Sequence, residues 1–416
     1  IPTAPSYPLH VQGAYEVLAQ FAGGNAQLNI DQSTSARILL DVPSSGDYLG
    51  LGTQGVQRMR IDANSRISLS NNDVGGTGGA DSTTGNTIFG YLAGDNIDSG
   101  SINNILIGHH TGKGLSGNTA DYTQNVIIGG NSGRDITQGD DNVIIGFNAG
   151  RYIQQGDSNV LLGQNAGNAI TQLSNNVAVG HNAFSVINAG SGGNVAIGHE
   201  SMKSAGTAGN NDASSNTAVG YQSGKALTTG ASNTAIGYQA MTSNLTGTYN
   251  VAIGKESLLS AAHGEANNIA IGAGSIGNAK ENVAAGAGHA HTLDHNTALG
   301  RNALLGGDLG TSDAILLHQG NIAIGSYALD ATAANPHLGT IAIGHQALTA
   351  LTSGAENVAV GYESGKTLTT TSYNTFLGHK AGRDCTGSNN TVMGREAMYD
   401  AAGVSDNVVI GYTAAN

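Results

Sequence analysis

The sequence predicts an all-β chain wound as a β-solenoid, or β-roll, and three observations carry that prediction. One short pattern returns from residue 86 onward: Asn, three mostly apolar residues, then Gly. Glycine fills 64 of 416 positions while proline fills 5, and no Gly-X-Y period accompanies the glycine, which excludes collagen. Apolar residues at the three- and four-residue spacing of a helix are not sustained over any stretch of about 11 residues. Charged residues make up only 11% of the chain, too few for the surfaces of an ordinary helical enzyme. The apolar share of 39% argues against disorder.

Taken in order, residues 1–80 read as a β-rich N-terminal region. Ala36–Leu40 and Arg58–Ile61 are candidate strands separated by Gly, Ser and Asp turns. Residues 71–85, rich in Gly and Asn, form a polar hinge. Residues 81–416 are the repeat region, with nineteen copies opening at Asn86, Asn104, Asn125, Asn142, Asn159, Asn176, Asn194, Asn216, Asn233, Asn250, Asn268, Asn282, Asn296, Asn321, Thr340, Asn357, Asn374, Asn390 and Asn407. The glycine four residues on is present in every copy, as at Gly129, Gly198, Gly237 and Gly361.

A run this short that ends in Gly is a strand stopping where the chain turns sharply. A second segment, as in Tyr238–Met241, is expected to be the return strand of the same coil. Coils stacked at about 4.8 Å would make nineteen rungs roughly 90 Å long. Strand neighbours point to opposite faces. The first and third residues of each run are Val, Ile, Leu or Thr almost throughout and are expected to fill the coil's interior. The middle residue is large early, Ala from Ala178 to Ala359, and large again at Phe376, Val392 and Val409, so it is expected to face another copy of the chain. The asparagines, including Asn125, Asn194, Asn233 and Asn357, are expected to form a ladder that Thr340 interrupts. The stretch 268–320 is expected to be the weakest, because its rungs at Asn268, Asn282 and Asn296 are the shortest and open into the longest interval.

The runs Asn194–Ser201, Asn233–Ala240 and Asn250–Ser257 resemble the head repeats of YadA-like trimeric adhesins. That resemblance implies a left-handed parallel β-roll in a homotrimer. The same repeats occur in bacteriophage tail fibres, and Pro8–Gly13 and Gln57–Asn64 look like segments found upstream of them there. The resemblance implies a structural fibre segment on the virion tail, contacting other tail proteins and a host-cell glycan or protein receptor. It also leaves open an adhesin head on the bacterial outer surface and, third, a glycan-degrading tailspike. The start at Ile1 and the end at Asn416 inside a repeat fit a fragment or processed product.

The chemistry of single residues points mainly to binding. A net charge of −13 without a basic cluster excludes nucleic acid as a partner. No apolar stretch approaches the roughly 18 residues of a membrane span, so insertion is not expected. Gly272–Gly277 spells a dinucleotide fingerprint but has no helix after it, and no cofactor is expected. Asp140 and Asp141 are an adjacent carboxylate pair whose side chains would point apart, so no catalytic pair is assigned. His289, His291 and His295 have spacings a metal could use, weighed against the reading that they are surface turn residues. The receptor-binding candidates are Tyr122, Tyr249 and Tyr373 in turns, where a flat ring could stack on a sugar. Leu316 and His318 join them from the long excursion 305–320.

Overall fold

The computed structural model describes residues 48–53, 56–62, 67–69, 85–97, 100–115, 120–187, 192–204, 212–244, 246–259, 265–277, 292–306, 317–332 and 337–416. Among them the secondary structure is all β, without a helix. The chain divides into two compact units, and the repeat belongs to the second. Of twenty-four strands, Tyr48–Thr53, Val56–Asp62 and Ile67–Leu69 form a three-stranded sheet. Val56–Asp62 contains the expected strand Arg58–Ile61, whereas Ala36–Leu40 lies outside the described residues.

The repeat forms a parallel β-solenoid. Eighteen three-residue strands, from Thr87–Phe89 to Val408–Ile410, pair parallel and in register with the next rung. Ala218 aligns with Ala235, and Ala235 with Ala252. The copy opening at Asn282 lies outside the described residues. Ile269–Ile271 pairs directly with Thr297–Leu299, and the Asn296 amide N–H donates to Asn268 Oδ1. The rungs at Asn268 and Asn296 are thus separated by one 28-residue interval rather than two short ones.

The segment after the repeat glycine is a turn and not a return strand. Gln239 and Met241 both have φ of 53°, in the left-handed region that no strand occupies. Rungs still bond there: the Gln239 N–H donates to Tyr221 O and the Met241 N–H to Ser257 O, each at 2.9 Å. The repeat glycine itself has φ near 130–145°. A Cβ on Gly237 would stand 2.5 Å from Gly254 O, and one on Gly129 2.6 Å from Gly146 O. The same steric bar holds at Gly198 against Gly220 and at Gly361 against Gly378. Only glycine fits a column this close to its neighbour's backbone.

The strand faces are the reverse of the sequence expectation. The middle residue points into its own coil: Ile127, Ala196 and Phe376 are fully buried. The first and third residues point out, and Ile236 is 37% exposed beside an Ala235 that is 1% exposed. What limits the middle residue to a methyl is the chain's own turn, not a partner. Where the middle residue is Ile88, Leu106, Ile127, Ile144, Leu161 or Phe376, the fourth residue after the repeat glycine is itself Gly, whereas the smaller Val392 is followed by Met398 there. A Cβ on Gly133 would lie 3.0 Å from Ile127, and one on Gly167 2.6 Å from Leu161. Where the middle residue is Ala178, Ala196, Ala235 or Ala252, that turn position holds Phe184, Met202, Met241 or Leu258. All four are buried, with φ of 45–53°. Gly224 and Gly365 fall on rungs with an alanine, and side chains of nearby residues fill the space: Met202 and Leu227 at one, Leu348 and Phe376 at the other. One core of nearly constant volume is therefore built from two positions that trade size.

The asparagines form the expected ladder. Asn233 accepts the N–H and the side-chain amide of Asn250 at 3.0 and 3.1 Å. Its own Nδ2 donates to Asn216 Oδ1 and to Gly247 O at 3.0 and 2.7 Å. Asn125 and Asn194 repeat the motif against Asn104 and Asn176, and Asn357 supports Asn374. Each is buried, with donors and acceptors used, as a dry interior demands.

Candidate recognition surface

Three outward features are candidates for recognition. The first is the strand face. Its two columns of Val, Ile, Leu and Thr include Phe89 at 66% exposure, Leu299 at 44% and Met393 at 44%. The second is the column just after the repeat glycine, where rings stack from rung to rung. His181, His199, Tyr221 and Tyr238 follow one another at centroid distances of 5.1, 5.3 and 5.3 Å. His345, Tyr362 and His379 form a second stack at 5.4 and 5.3 Å. The Lys255 ammonium covers the end of the first, 5.9 Å from the Tyr238 ring. Ring faces in these columns are turned to one another and present edges to solvent.

The third feature is a corner immediately before the repeat Asn, which holds Tyr249 and Tyr373. They are 65% and 59% exposed, with φ of 58° and 64°, where the neighbouring rungs place Ser232, Asn267, Glu356 and Asn389. Among the described residues no ring or cation is stacked on either. Tyr152 and Tyr399 differ, since Arg151 and Arg383 lie over their rings at 5.1 and 5.2 Å.

Two candidates are corrected. Tyr122 is fully buried, its hydroxyl donating to Gly112 O, and burial pushes its phenol above the usual range. It fills the coil in a column where other rungs carry Gly139 and Gly156. His318 is 4% exposed and its carbonyl accepts from Asn296 Nδ2, so it too is a core residue. Leu316, His289 and His291 lie outside the described residues, while His295 occupies an exposed corner at φ 59°. Among the described residues no group of three or more His, Cys, Asp or Glu is placed to hold a metal ion. Asp140 is engaged with backbone, accepting the Thr123 N–H at 2.6 Å. Gly272 is the turn glycine of its rung, and Ile276 of the same fingerprint is a buried turn residue.

The chain matches no family model, no curated protein and no solved structure. The surface is therefore interpreted from its own residues. Among these, sequence reasoning missed a second ladder two residues before the repeat Asn. The Asp140 N–H donates to Asp157 Oδ1 and the Asp157 N–H to Ser174 Oγ, both at 2.9 Å. Gln138, Gln155 and Gln172 run beside it, amide to amide, at 3.0 and 3.1 Å. The signal was present as a Ser, Thr or Asp recurring at one offset.

Proposed function

We propose that the chain is a structural, non-catalytic segment of a homotrimeric bacteriophage tail fibre that displays recognition surfaces to a host-cell glycan or protein receptor. The observation that carries the reading is the outward strand face. Two mostly apolar columns run in register along eighteen rungs, a contiguous outward strip of the kind that marks an interaction surface. Each rung repeats the same residue types in register, so another copy of the chain supplies a matching face of equal length. The resemblance of the repeats to those of trimeric fibres and adhesins supports three copies. Among the described residues Tyr249 and Tyr373 are the tyrosines left with free faces for a sugar.

Sedimentation equilibrium at micromolar concentration tests assembly. The expected mass is three times the 41.7 kDa of one chain. Ile236→Asp, which puts a carboxylate on the outward face without touching the core, is expected to abolish the trimer. A monomeric wild type would overturn the assembly. Adsorption of labelled trimer to host cells tests recognition, and Tyr249→Ala with Tyr373→Ala is expected to weaken it by at least about tenfold, near the 1–3 kcal/mol of a stacked ring. A parent reading frame with a signal peptide and a C-terminal membrane anchor would replace the phage setting with an adhesin head.

A further inference from the structure

The asparagine ladder has one irregular rung, and its repair is titratable. In the regular rungs the repeat Asn donates its Nδ2 to the carbonyl three residues before the next repeat Asn. Asn216 reaches Gly230 O, Asn233 Gly247 O and Asn357 Thr371 O, at 2.7–2.9 Å. At Thr340 no amide exists to reach Gly354. The Thr340 N–H still accepts support from below, donating to Asn321 Oδ1 at 3.0 Å, but its buried hydroxyl has no hydrogen-bond partner.

On this same rung the residue three before the repeat position is His337, where regular rungs hold Gly139, Gly156, Gly230 or Gly247. His337 is fully buried, and its Nε2 lies 3.1 Å from Thr352 O. A carbonyl oxygen only accepts, so Nε2 carries the proton and donates to the next rung, at a carbonyl two residues before the one the missing amide would reach. Nδ1 is buried and without a hydrogen-bond partner. The geometry is that of a neutral imidazole substituting for an asparagine. We propose that His337 is an acid-sensitive rung of the ladder, and that protonating its ring opens the coil locally around Leu317–Gln319 and His337–Leu338 while other rungs stay paired.

Burial and, among the described residues, the absence of a facing carboxylate favour the neutral ring, and only the backbone of the next rung favours an added proton. Below His337 is the buried His318, its ring 5.4 Å away, which pairs across the short sheet formed by Thr292–Asp294, Leu317–Gln319 and His337–Leu338. Beneath His318 the column continues with Leu293 and then the buried Glu265, two rungs from His318. Above are Gly354 and Thr371, which carry no charge. Burial pulls the His337 pKa below its ordinary 6.5, and the backbone of Thr352 and Gly354 offsets part of that. The neutral ring's contribution is thus complete above pH 6.5 and is lost as the pH falls toward the lowered value.

Hydrogen exchange on the full chain at pH 7.5 and 5.0, corrected for intrinsic rates, tests the proposal. Amides of 318–324 and 337–345 are expected to open more at pH 5.0, about tenfold for each unit by which the ring's pKa is displaced. Amides of 234–253 are expected not to change. His337→Gln keeps a donor without a titrating group, and His337→Gly with Thr340→Asn restores the residue pair of a regular rung. Both are expected to lose the acid response, while His345→Gln, in the exposed ring column, is expected to retain it. Equal protection of the wild type at both pH values would overturn the proposal, as would a folded His337 variant that keeps the response or loss of the response in His345→Gln. Should neither His337 variant fold, a wild-type ring titrating at or above pH 6.5 by NMR also overturns it.

Discussion

At the scale of single residues, the ladder asparagine makes four hydrogen bonds that no other side chain of its size combines. Asn233 accepts twice at Oδ1 and donates twice from Nδ2, all within a coil that water does not enter. Asn233→Ala strands the Asn250 donors and the Gly247 carbonyl together. A buried group left unmade costs about 1–3 kcal/mol, so each chain is expected to lose at least that much, read as a lower midpoint in denaturant. An unchanged midpoint would mean that relaxed rungs find other partners. The ladder asparagines and turn glycines such as Asn233 and Gly237 were legible in the sequence, because each answers to a local demand repeated in nearly every rung. Tyr122 was not. Its place in the coil is set by the glycines at the same position on other rungs, and a tyrosine in a polar stretch carries no mark of that.

At the scale of the element, the rung conserves core volume by pairing its strand residue with its turn residue. The sequence shows the switch from Ile127 to Ala178 but not the partner of that switch, since Gly133 and Phe184 stand in turns where size looks unconstrained. The outward and inward faces were exchanged for the same reason: alternation in a three-residue strand fixes which residues share a face, not which face is the core. The pairing yields a prediction. Ala235→Leu overpacks the coil against Met241 and is expected to cost about 1–3 kcal/mol. Adding Met241→Gly removes the clash and relieves a bulky residue held at φ 53°. Leu with Gly is the combination already present at Leu161 and Gly167. The double variant is therefore expected to recover most of the lost melting temperature, and a double variant no better than Ala235→Leu alone would refute the volume exchange.

At the scale of the whole molecule, stability is a sum over neighbouring rungs, so regularity along the axis decides where the coil opens first. Between Asn233 and Asn250 the ladder steps every 17 residues, with amide bonds unbroken. From Asn268 to Asn296 and on to Asn321 the steps are 28 and 25 residues, and at Thr340 the amide chain is interrupted. The sequence expectation of a weak stretch over 268–320 rested on the long interval after Asn296, which the ladder keeps, and on a short rung at Asn282, which lies outside the described residues. Asn282 matches the pattern in type and spacing, yet strand pairing passes it by, and a match of five residues cannot show which strands are neighbours. Longer intervals add little closure cost in themselves, since doubling a loop costs about 0.6 kcal/mol. The weak point is expected where interval and ladder fail together, between Thr297–Leu299 and Ile341–Ile343. Hydrogen exchange at pH 7.5 is expected to show amides of 297–299 and 322–324 opening faster than those of 234–236 and 251–253, with no change in the global transition. Equal rates in both stretches would mean that the strand ladder alone sets local stability, and that neither the long steps nor the missing amide reaches it.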